Sequence, residues 1–82
     1  MLRAEICINY KKSISDPEGI AVNHALMALG YRNIKGVRVG KTITVRLNVE
    51  NKEEAKKTVD KMCRKLLANP VIEDYSFTID EE

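Results

Sequence analysis

Apolar and polar residues alternate from the start of the chain. Ala4, Ile6, Ile8 and Tyr10 share one face, while Arg3, Glu5, Cys7 and Asn9 share the other. A period of two marks a strand with one side in a core, so residues 2–12 are predicted to form a half-buried strand. Asp16 then precedes Pro17, the order of a helix N-cap followed by proline at the first helical position, where its missing N–H leaves no bond unmade. Val22, Ala25, Leu26 and Leu29 recur at i, i+3, i+4 and i+7. That spacing predicts a helix over residues 17–29, closed by Gly30 in the left-handed conformation.

Alternation returns in two stretches. Residues 34–39 are predicted to form a second strand with Val37 and Val39 inward. Residues 42–49 are predicted to form a third, with Ile43, Val45, Leu47 and Val49 inward and Thr42, Thr44, Arg46 and Asn48 outward. Gly40-Lys41 between them reads as a short turn, which makes the pair a hairpin. Gly36 and Gly40 are assigned to positive φ, at a strand end and in the turn. Asn51, with Glu54 three residues later, suits a capping box in which Asn replaces Ser or Thr. Ala55, Val59, Met62, Cys63 and Leu66 mark one face of a second helix, ended by Asn69-Pro70. A last strand turns Tyr75, Phe77 and Ile79 inward and Asp74, Ser76, Thr78 and Asp80 outward. The order strand, helix, strand, strand, helix, strand is the split βαβ pattern. The predicted fold is α+β and ferredoxin-like: a four-stranded antiparallel sheet with two helices on one face, in a single domain over residues 1–82. The sheet is completed within one chain or by strand exchange in a dimer.

Composition narrows the function classes. With 82 residues, about 60–65% of the unfolded surface can be buried, so a deep catalytic cleft would compete with the core and self-association is the expected source of further stability. Hydrophobic residues make up 44% and charged residues 32%, the balance of a soluble globular chain. No apolar run approaches the roughly 20 residues of a membrane span. Met1 runs directly into alternating residues that include Arg3 and Glu5, unlike a signal peptide, and a cytoplasmic location is expected. Cys7 and Cys63 lack metal-ligand spacing and read as two buried, reduced thiols. The net charge of +2 is too small to imply nucleic acid, but its distribution is uneven. Residues 73–82 hold five acids and no base, whereas residues 30–49 hold Arg32, Lys35, Arg38, Lys41 and Arg46 and no acid. Solvated charge and partner orientation both account for that polarity.

Chemistry is sparse. His24 is the only histidine, and no Cys-His pair, Ser-His-Asp order or two-histidine metal spacing can be assembled around it, so it reads as a helix-surface or interface residue. No strand, glycine loop and helix with lysine forms a phosphate loop. RNA binders of this architecture stack bases on aromatic residues of the open sheet face, and the outward positions here carry none. The expectation is no catalytic residue, no metal ligand and no cofactor bound by this chain.

Several stretches in fixed order resemble the PurS family, the small subunit of phosphoribosylformylglycinamidine synthase. They are Asp16-Pro17-x-Gly19, Ala25-Leu26-x-x-Leu29-Gly30-Tyr31, Val37-Arg38-x-Gly40-Lys41 and the block over residues 66–75. Glu18 stands where glutamine is expected in many members. The resemblance implies a non-catalytic subunit of a glutamine-dependent, ATP-consuming ligase complex of purine biosynthesis. It implies a homodimer or tetramer that bridges a large synthetase subunit and a glutaminase subunit and assists ammonia transfer, with ATP and magnesium on the synthetase. Arg38 and Lys41, placed outward and at the turn, are the candidate partner-binding residues. The alternatives are a stand-alone ferredoxin-like dimer that senses a small ligand, and a small enzyme using His24.

Overall fold

Three strands and two helices follow one another as β1 (Leu2–Tyr10), α1 (Pro17–Ala28), β2 (Gly40–Leu47), α2 (Lys52–Met62) and β3 (Glu73–Glu81), with α2 continued by a π-helical turn over Cys63–Leu67. The structure is a computed structural model and describes all 82 residues. β1 lies between β2 and β3 and is antiparallel to both. The register places Ile6 between Ile43 and Phe77, and Ala4 between Val45 and Ile79, so the inward positions of all three strands fall on one face as the alternation predicts. α2 covers that face with Ala55 and Val59, joined by Cys63 of the π-helical turn; with Leu2, Ala4, Ile6 and Ile8 of β1 they form the buried core.

α2 forms because its sequence satisfies its own ends. Asn51 Oδ1 accepts the N–H groups of Glu53 at 2.9 Å and Glu54 at 3.2 Å. Acidic residues fill the first turn and Lys61 the last, in the sense that complements the helix dipole. Of the expected capping box this is the Asn51 half. At the far end Ala68 N–H reaches Cys63 O at 3.0 Å, the wider closure of a π turn, before Asn69-Pro70 ends the helix.

The predicted hairpin is absent. Residues 34–39 form no strand, and Gly40-Lys41 are the first two residues of β2, opposite Asn9 and Ile8. Within one chain the sheet therefore has three strands, not four. Gly40 has a different reason from the one expected. Only Gly30 has positive φ, at 101°, whereas a Cβ on Gly40 would lie 2.9 Å from the carbonyl oxygen of Ile8 and closer still to the Asn9 side chain. The glycine is there for close strand approach. Gly36 is likewise not at positive φ, and a Cβ there would meet nothing.

The second correction concerns α1, which was expected beside α2 on the sheet. It is well capped, with Pro17 in its first turn, but packs extensively on neither the sheet nor α2. Its apolar residues run all round it, and Ile20, Val22, Met27 and Leu29 stand 42–75% exposed. The chain extends over 49 × 28 × 15 Å with a radius of gyration of 16.2 Å; a compact domain of this length has about 12 Å. The sheet and α2 make a closed body, and α1 with residues 29–39 makes an arm. No helix is long and apolar enough to cross a membrane.

Candidate functional site

The arm leaves the body through a neck built by two charged side chains. Asp16 is only 4% exposed. Its Oδ1 accepts the N–H of Gly19 at 3.0 Å, the predicted cap, and its Oδ2 accepts the N–H of Val39 at 2.7 Å. One carboxylate thus joins the first turn of α1 to the end of the returning segment. These bonds, from Val39 first and Gly19 second, with the Arg38 guanidinium nearby, hold the Asp16 carboxyl below its ordinary value against the opposing effect of burial. Gly19 is required by the same closure: a Cβ there would sit 2.4 Å from Val37 O and 2.7 Å from Asp16 Oδ2.

Arg38 completes the neck. Its guanidinium donates to the carbonyl oxygens of Ile14 at 2.9 Å, Lys12 at 2.8 Å and Lys11 at 3.2 Å, a fork suited to several acceptors at once. Lys41 lies in β2 with its ammonium 3.9 Å from Glu73 on β3. It borders a cleft of about 220 Å³ together with Tyr10, Glu18, Val39 and Glu73. The structure thus brings Arg38 and Lys41 to the same end of the sheet but gives them different work. Arg38 binds backbone within the chain, and the Lys41 head is more than half exposed.

On the helix-covered side, beside β2, an apolar groove of about 510 Å³ opens between Val45 of the strand and Met62, Leu66 and Leu67 of the helical segment, with Lys61 and Lys65 along it. Leu66, predicted to continue the core stripe, is instead 82% exposed, because the π turn rotates it off that face. The opposite flank of α2 is tied down: Asp60 accepts the Tyr75 hydroxyl at 2.6 Å and pairs with Arg64 at 2.8 Å. The bond to Asp60, followed by burial, raises the Tyr75 phenol above its usual value. Burial, followed by the Asp60 charge, raises the Cys63 thiol.

His24 is exposed on α1, and no group of three or more metal-ligating side chains converges anywhere. Both cysteines are free thiols, Cys63 buried as expected and Cys7 exposed on the open sheet face, contrary to expectation. The period of two had already placed Cys7 opposite the core positions. Two functional features escaped the sequence reading, the second bond of Asp16 and the groove at Leu66. The first joins residues 23 positions apart, and nothing local signals it.

A family model described as PurS, phosphoribosylformylglycinamidine (FGAM) synthase, matches residues 3–81. The phosphoribosylformylglycinamidine synthase subunit PurS of Methanocaldococcus jannaschii is 42% identical over 99% of this chain and 98% of its own. That of Bacillus subtilis is 37% identical over 99% and 95%. The crystal structure of Methanocaldococcus jannaschii PurS, one of the subunits of formylglycinamide ribonucleotide amidotransferase in the purine biosynthetic pathway, superposes with a TM-score of 0.89 at 41% identity, covering 100% of this chain and 99% of that one. The PurLQS structure from Thermotoga maritima contains a chain that superposes with a TM-score of 0.84 at 32% identity, covering 98% and 99%. With the match running through the neck, the groove and all three strands, the chain belongs to the PurS family of phosphoribosylformylglycinamidine synthase subunits.

Proposed function

We propose that this chain is the non-catalytic subunit that joins the ATP-dependent synthetase and glutaminase subunits of phosphoribosylformylglycinamidine synthase and assists passage of ammonia between them. The observation that carries this is the family match over residues 3–81. The relatives PurS and PurLQS supply the assembly by name. In this reading ATP and magnesium bind the synthetase, the work is done in the cytoplasm, and the chain's contribution is surface. The stand-alone sensor and the His24 enzyme are not favoured.

The reading includes a homodimer, or a tetramer built from it, whose fourth strand comes from a second copy. Residues 34–39 form no strand and make no backbone–backbone hydrogen bond within their own chain, and the outer edge of β2 is free; free edges invite pairing. Lys41, exposed at the end of the sheet, contributes directly to partner contacts, and Arg38 contributes by holding the loop over residues 11–14 in shape. An acidic patch on the partner suits Lys41.

The test is reconstitution. Added to the synthetase and glutaminase subunits, the chain restores glutamine-dependent amidine formation, and alone it hydrolyses neither glutamine nor ATP. Glutaminase or ATPase activity of the chain alone, surviving repurification and lost in His24→Ala, would overturn the reading. Lys41→Ala with Arg38→Ala weakens co-elution with the catalytic subunits and lowers turnover at limiting concentration. Parent-like assembly at both low and high salt would remove these two residues from the interface.

A further inference from the structure

The outward face of α2 and its π-helical extension carries a row of cations that nothing in the chain answers. Lys57, Lys61 and Lys65 stand at i, i+4 and i+8, one above another on the helix surface, and all three are exposed. Like charges at that spacing repel. The acids of the same helix do not relieve them. Glu53 pairs with Lys56 at 3.7 Å, and Asp60 holds Arg64 at 2.8 Å while accepting the Tyr75 hydroxyl. Glu54 forms no pair with Lys57, and none of the three lysines makes an ion pair with any other residue.

The π turn adds a second observation. Single π turns attached to α-helices sit frequently at functional sites. Here Lys61, Arg64 and Lys65, the last two within the turn over Cys63–Leu67, surround one hollow of about 280 Å³ that no apolar or acidic residue lines. A small-molecule site buries most of its ligand against apolar walls; this hollow has none, which points to a macromolecular surface. It has no aromatic residue on which a nucleic-acid base could stack. We propose that the lysine row and the hollow beside Arg64 form the docking face for an acidic surface on one of the two catalytic subunits. The proposal rests on the bridging role above and deepens it, because a subunit that joins two others needs a separate surface for each. The hollow shares no residue with the cleft that Lys41 borders, so the two contacts do not compete for the same side chains. Exposed charges of this kind act chiefly by steering a partner's approach, and salt weakens the effect.

The test uses the full chain with both catalytic subunits. In the reconstituted complex a carbodiimide, which joins an amine directly to a carboxylate, should link Lys57, Lys61 or Lys65 to an aspartate or glutamate of a catalytic subunit, read by mass spectrometry of the digest. Links confined to carboxylates of this chain or of a second copy overturn the proposal. Lys57→Gln, Lys61→Gln and Lys65→Gln together remove the charge and keep good helix formers, so the far-ultraviolet circular dichroism should match the parent. At low salt this variant should associate with its catalytic partner about 10-fold more slowly or worse, with dissociation little changed, and the gap should close as salt rises. Lys57→Arg, Lys61→Arg and Lys65→Arg together should associate like the parent. Parent-like association of the glutamine variant at low salt sinks the proposal, as does a defect that arginine fails to restore. Lysine-dependent retention of single-stranded RNA with assembly untouched would give the face to nucleic acid and sink it too. Failure of the bridging reading is a separate result: there the parent itself neither joins the catalytic subunits nor restores glutamine-dependent turnover, and this proposal falls with it.

Discussion

The helix of the body is mostly charged and the helix of the arm mostly apolar, yet it is the charged one that is packed. α2 concentrates its apolar residues on one face and buries Ala55 and Val59 against the sheet. α1 spreads them round the cylinder and buries only Gly19. An amphipathic helix needs one neighbour; a helix without a polar face needs neighbours on every side, and an 82-residue chain with a three-stranded sheet has no second layer to give. The body thus closes its core within one chain, whereas the arm leaves its apolar surface uncovered.

The comparison breaks most sharply at the centre of the sheet. Ile6 is fully buried between Ile43 and Phe77, and Ile6→Ala should destabilise the body by about 2–5 kcal/mol, read from urea unfolding. A smaller loss is expected at the neck. Gly19→Ala drives a methyl into the Val37 carbonyl, an overpacking of about 1–3 kcal/mol, and it should shift dimer mass in sedimentation as well as the urea midpoint. A mutant that lost only body stability would show that the neck does not steer the arm.

Protonation separates the two regions without a change of volume. Asp16 has its carboxyl value lowered in the folded chain. Its contribution is therefore present above the unfolded value near 3.8 and is lost as pH falls through the folded value. Unfolding followed from pH 6 to pH 2 (roughly the carboxylate window) should show a fall that Asp16→Asn removes. Tyr75 is the reverse case on the body. Its raised phenol value makes its contribution full below the unfolded value and lost as pH rises through the folded one, so Tyr75→Phe should abolish an alkaline loss and leave the acid limb unchanged. The smallest effect belongs to His24, exposed on the arm: His24→Ala should change the stability of the isolated chain by no more than about 0.5 kcal/mol.

Much of this was legible in residues. The inward sets of β1, β2 and β3, the Asp16-Pro17 start, the Gly30 stop and the Asn51 cap all stand where the pattern placed them. Local chemistry determines them, and local chemistry is visible in a sequence. The hairpin was misread although a signal against it was present. Val37, Val39, Ile43, Val45, Leu47 and Val49 share one parity, whereas a two-residue turn at Gly40-Lys41 would set Val39 beside Thr42 and Val37 beside Thr44. An unbroken parity belongs to one continuous extended segment. The glycine masked it, since close approach to Asn9 and a tight turn select the same residue. The neck and the groove were not legible, because each joins residues far apart in the chain.

The pairing of Asn9 with Gly40 has a kinetic consequence. It closes the base of the arm by joining the two sheet strands across some thirty intervening residues, a loop closure that needs no second molecule. Refolding should accordingly show a concentration-independent phase that forms the sheet and α2, followed, in the proposed homodimer, by a slower phase whose rate rises with chain concentration. In a cell making this chain at low level, the first species is one with its apolar arm still open. On the proposed self-association, the interval before the second event scales inversely with abundance, which makes supply of the subunit itself the setting for how long that surface stays uncovered.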